Sequence, residues 1–153
     1  MFLRLISHNM ETIKLGTLRF IQIFDQEAES EGDCFLGYIK AFGLQHAVKT
    51  VIGSINEMDP IVKLNSDKHG IYVHDAVDSK FILIARDEHQ LNNLISLLKN
   101  IWEPFQNTDF LPRTDDTMLQ CKLFLKELEK MPGETNIFWL KFAFREFNIN
   151  YEL

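Results

Sequence analysis

Three apolar runs, Ile61-Val62-Lys63-Leu64, Gly70-Ile71-Tyr72-Val73-His74 and Lys80-Phe81-Ile82-Leu83-Ile84-Ala85, succeed one another between Ile61 and Ala85. The spacers, Asn65-Ser66-Asp67-Lys68-His69 and Asp75-Ala76-Val77-Asp78-Ser79, consist largely of turn formers. Short runs rich in β-branched and aromatic residues, punctuated in this way, predict a three-strand β-meander. The third run is apolar without interruption, which predicts a central strand buried on both faces.

Downstream, Asp87-Glu88-His89-Gln90 opens the clearest helix: Asp87 can cap it and Gln90, three residues on, can reach back. Leu91, Leu94, Leu98, Ile101 and Phe105, with Ile95 and Trp102, come after it at threes and fours. Such a stripe must be buried against a sheet. Glu103-Pro104 predicts that this helix bends or frays at its end. A linker from Asn107 to Asp116 precedes a helix expected over Thr117–Lys130, capped by Asp115 or Asp116, with Met118, Cys121, Leu125 and Leu128 on one side. The tail from Asn136 to Phe147 fits helical spacing through Ile137, Leu140, Phe144 and Phe147, and strand alternation through Phe138, Leu140, Phe142 and Phe144. Length alone favours a helix there.

Upstream, Thr12–Leu15 and Leu18–Phe24 read as two short strands around Gly16-Thr17. Between Asp25 and Asp33 the chain carries five carboxylates and no base, the composition of a solvated loop, and Asp33 is placed to cap the helix expected next. From Cys34 to Ile52 the apolar residues Phe35, Leu36, Ile39, Phe42, Ala47, Val48, Val51 and Ile52 recur at threes and fours, so one helix is expected over that span, tolerating Gly37 and Gly43.

The 153 residues, 46% hydrophobic and 25% charged, suit a single globular domain over 1–153, with no uncharged apolar stretch long enough for a bilayer. A net charge of −6 argues against nucleic acid and anionic membrane surfaces as direct partners. Met1–Met10 is interrupted by Arg4 and His8-Asn9, unlike a signal-peptide core, and Cys34 and Cys121 fit no metal spacing. The expectation is a cytoplasmic chain with reduced, buried thiols.

No motif specifies a reaction. His69 and His74 lie an odd number of residues apart, so a regular strand sends them to opposite faces, and neither they nor His89 complete a metal shell. Cys34 with His46 or His74 is the one nucleophile–base pairing on offer, without a nucleophile elbow. Glycine-rich phosphate loops are absent. No catalytic residue, cofactor or metal is therefore expected. Two features suit protein binding instead. Glu27, Glu29 and Glu31 could steer a basic partner. Phe138, Trp139, Phe142, Phe144 and Phe147 form either a terminal element packed on the sheet or a partner surface, in a homodimer or hetero-complex.

The stretch from His69 to Phe105, with Gly70-Ile71-Tyr72-Val73, Lys80 to Asp87 and the leucine-rich helix after it, resembles the last strands and following helix of a longin domain, in the longin and roadblock group of profilin-like folds. Asp33 to Gly43 is similar to the helix that comes after the opening hairpin in such domains. The likeness spans about 12–130, leaving an aromatic element over 135–153. It implies an α+β fold: a five-stranded, mainly antiparallel sheet built as hairpin, helix and three-strand meander, flanked by helices. It also implies a non-enzymatic scaffold or subunit of a complex regulating small GTPases or vesicle trafficking, peripheral to a membrane through its partners. The acidic charge equally suits an immunity or inhibitor protein that neutralises a basic toxin or nuclease. A small enzyme is the third reading.

Overall fold

The computed structural model describes residues 10–15, 18–23, 36–56, 58–106, 111–131 and 133–146. The meander forms where the turn chemistry places it: β4 (Asp59–Leu64), β5 (Asp67–Asp75) and β6 (Lys80–Ala85) pair antiparallel in sequence order. The opening hairpin, β1 (Met10–Leu15) and β2 (Leu18–Ile23), closes on a Leu15↔Leu18 pair. The overall class is as expected, α+β with an antiparallel sheet flanked by helices.

The span Cys34–Ile52 is not one helix. Its described part forms α1 (Leu36–Ala41) and then β3 (Val48–Ile55), which pairs with β2 on one side and β4 on the other. Gly43 ends the helix: it takes φ +68°, its N–H reaches Lys40 O at 3.1 Å, and Leu44 N–H reaches Ile39 O at 2.9 Å. That pair of bonds is a Schellman stop, and Ile39 and Leu44, the residues such a stop brings together, are both buried. Beyond it, β-branched Val48, Thr50, Val51 and Ile52 suit a strand better than a helix. Four strands therefore come after α1 in place of the expected three, and the strand order is β1-β2-β3-β4-β5-β6.

This order also corrects the expected place of β6, which among the described residues is the last strand of the sheet and not a central one. Its apolar run is covered by a helix in place of a second neighbouring strand. That helix, α4 (Gly133–Glu146), is the tail element whose periodicity is ambiguous, and it packs along β6.

Two further helices complete the layer. In α2 (Glu88–Trp102) Asp87 Oδ1 accepts from Gln90 N–H at 2.8 Å, and Gln90 Oε1 accepts in return from Arg86 N–H at 2.9 Å. The helix buries Leu91, Leu94, Ile95, Leu98, Ile101 and Trp102, and Glu103–Phe105 tightens into a 3₁₀ turn at Pro104. The next helix, α3 (Asp115–Leu128), starts earlier than expected because Thr114, not Asp115 or Asp116, is the cap; Thr114 Oγ1 accepts from Thr117 N–H at 3.2 Å. Asp115 and Asp116 fall in the first turn, where the helix dipole favours them. Its buried side is Thr117, Cys121, Phe124 and Leu128, with Met118 and Leu125 only half-buried.

These helices share one core with a single face of the sheet. Ile55, Ile61, Ile71, Val73 and Ala85 meet Leu94, Leu98, Trp102, Phe124 and Trp139 there. The register of β5 against β6 runs Tyr72↔Leu83 and then Ile71↔Ala85, so Ile84 is the extra residue of a bulge. A bulge frees a main-chain group from the ladder. Here Trp139 Nε1–H donates to Ile84 O at 2.7 Å, fully buried, and ties α4 to the strand it covers.

Trp139→Phe keeps a large ring and removes that donor. Leaving a buried carbonyl unsatisfied should cost about 1–3 kcal/mol, read as a lower urea midpoint at unchanged slope. An unmoved midpoint would remove this bond from the account of stability.

Candidate functional site

Among the described residues, two places gather several polar and aromatic side chains. The first lies on the sheet face opposite the main core. Strand alternation sends Tyr72 and His74 away from Ile71 and Val73, and α1 crosses their side of the sheet. His74 is completely buried. Phe42 and Phe81 meet its ring edge-on, each with centroids at 5.1 Å, and Tyr38 stands perpendicular to it at 5.5 Å. Tyr38 Oη lies 2.6 Å from His74 Nδ1.

Burial, then the nearby carboxylates of Asp59 and Asp75, push the Tyr38 phenol up to about 12, so it keeps its proton. A neutral phenol donates to Nδ1 or accepts from it according to the ring tautomer. No described residue bonds to Nε2. Burial lowers the His74 pKa, opposed by the attraction of Asp59 and Asp75. Asp59 is itself raised by burial and by Asp75, against a hydrogen bond from the Ala76 backbone and the pull of His74. With no exposed surface on its ring, His74 ties α1 to the sheet from within.

The second place is an open groove of about 550 Å³ between β6 and α4. Phe81, Ile82 and Leu83 line it from the strand, and Ile137, Phe138 and Phe142 from the helix. Lys80, Lys141 and Asp75 supply its charges, the two lysines being exposed. Ile137 is half exposed at the groove.

The aromatic residues singled out in the sequence are divided by this arrangement. Trp139 and Phe142 are buried members of the core, so neither is an exposed anchor, although Phe142 also reaches the groove. The reason is helical spacing: residues 139, 142 and 143 face the sheet, while 137 and 141 face outward. Phe138, half-buried, lines the groove, and Phe144 lies on α4. Glu27, Glu29, Glu31, Cys34 and Phe147 lie outside the described residues. His69 and His89 are exposed and apart from His74, and among the described residues no three His, Cys, Asp or Glu side chains gather as a metal shell. Cys121 is buried, its thiol pushed up to about 11 by burial, which suits a small core residue. Sequence reasoning missed Ile137 as an exposed residue and Tyr38 as the partner of His74. The paired residues are 36 positions apart, beyond the reach of any periodicity.

Comparison of the chain with protein-family models, with curated proteins and with solved structures gives no match.

His74 makes a pH prediction. Its folded pKa lies below the ordinary 6.5, so in the interval between them the unfolded chain binds a proton that the folded chain refuses. The stability tied to His74 is complete above about pH 6.5 and falls as pH drops below it. Asp59, raised, has the opposite sign and acts in the carboxylate range. Urea unfolding between about pH 8 and about pH 5.5 should therefore show a decline that a His74→Phe variant lacks. Equal slopes would detach the ring from the pH response.

Proposed function

We propose that this chain is a non-enzymatic protein-interaction module that takes a segment of a partner protein in the groove between β6 and α4. The observation that carries this reading is the groove itself: open, apolar in its lining, and placed on the last strand of the sheet. A strand whose second edge pairs with no other described strand offers main-chain donors and acceptors as well as side-chain pockets, the combination used in peptide recognition by strand addition. Phe138 and Phe142, expected among the partner-binding residues, line this groove. The dense terminal aromatics thus serve both the core and the surface beside it.

The geometry bears on the binding surface alone. The longin and roadblock resemblance adds a setting, a complex acting with small GTPases or in vesicle trafficking at the cytoplasmic side of a membrane, and that setting rests on the resemblance. An acidic inhibitor of a basic toxin would engage through Glu27, Glu29 and Glu31 in place of the groove.

Ile137→Asp separates these alternatives, since Ile137 is exposed and lines the groove. The variant should keep the wild-type melting transition and lose partners captured from its native host, by about 2 kcal/mol or more if Ile137 is an anchor. Capture that is equal for wild type and variant would overturn the groove reading. Light scattering on the same samples distinguishes a second copy of the chain from a different partner.

A further inference from the structure

Resting on that reading, we propose that the segment bound in the groove is extended and acidic, and that it adds to β6 as a further strand with its carboxylates on Lys80 and Lys141. Three observations converge on this partner.

The first is main-chain geometry. β6 ends the strand order, and among the described residues no strand lies beyond it. Four of its residues, Lys80 to Leu83, line the groove. At the next residue the edge is closed, because Ile84 O is held by Trp139 Nε1. The open length is thus about 13 Å, four residues at roughly 3.3 Å each.

The second is the character of the walls. Alternate side chains of an added strand point to opposite faces. The set facing α4 would meet Ile137 and Phe138, and acidic members of that same set would reach Lys80 and Lys141, which lie on that side.

The third is charge. The chain carries a net −6, yet two exposed lysines stand at this groove, and neither is in an ion pair with any described residue. The one anion in the lining, Asp75, is turned into its own loop, where Oδ1 accepts from Val77 N–H at 2.9 Å. Carboxylates on the incoming segment would meet both lysines. A second copy of β6 would not, since Lys80-Phe81-Ile82-Leu83-Ile84-Ala85 contains no acidic residue.

The test is fluorescence anisotropy on the full chain with three labelled probes: an acetylated Glu-Thr-Val-Thr-Glu-Thr hexapeptide, which puts both glutamates and the valine on one face, its counterpart with lysine for glutamate, and the glutamate peptide with N-methylated backbone amides. The first should bind saturably, and the other two about tenfold or more weaker. Reversing both charges, Lys80→Glu with Lys141→Glu, should weaken the acidic probe about tenfold, and added salt should weaken it further. Equal binding of the acidic and basic probes would overturn the charge assignment, and equal binding of the N-methylated probe would overturn strand addition. Absence of binding by all three, with Ile137→Asp still abolishing partner capture, sinks this inference and leaves the protein-binding reading standing. If Ile137→Asp also leaves capture intact, both fall.

Discussion

The bond from the Trp139 indole to the Ile84 carbonyl is the constraint on which the arrangement depends. A sheet of consecutive antiparallel strands has two edges, and its last strand here is also its most apolar. Left bare, such an edge would expose apolar side chains and main-chain groups together. The bulge at Ile84 turns one carbonyl out of the ladder, and Trp139 takes it up from the helix that covers the strand. Because Trp139 also stacks edge-on against Phe124 of α3 and against Phe138 and Phe142 of its own helix, the bond places α4 and the helical layer together. It also sets the limit of the groove: closed at Ile84, open from Lys80 to Leu83.

The two faces of the sheet are held by different means. On one, helices bury a continuous apolar cluster, and the stabilisation is mostly non-directional hydrophobic burial. On the other, α1 is short and contributes few apolar residues, so a directional contact matters more: the hydrogen bond between Tyr38 and a histidine enclosed by rings. The same burial that strengthens this hydrogen bond makes the ring costly to protonate, which gives this face of the sheet a pH sensitivity near the histidine range.

Much of the fold is legible along the chain where structure is local. The meander arises from turn formers between β-branched runs, and α2 from Asp87 and Gln90 around an apolar stripe. The misreading at Cys34–Ile52 shows where periodicity fails: threes and fours continue across Gly43, but a glycine at positive φ ends the helix and the β-branched residues after it join the sheet. The candidate site is legible only in part, as a cluster of large aromatics near the terminus.

The sequence by itself therefore determined whatever neighbouring residues settle among themselves: the turns, the caps, the amphipathic stripe of α2 and the class of the fold. Tertiary structure decided the rest. An apolar run such as Lys80–Ala85 needs cover on both sides, but nothing local says whether a strand or a helix provides it, and β6 became the last strand because α4 could do so. Likewise the terminal aromatics carry no mark of core or surface. Only the angle at which α4 meets the bulged strand turns Trp139 inward and Ile137 outward, since helix rotation is set by the partner it packs against and not by the helix alone.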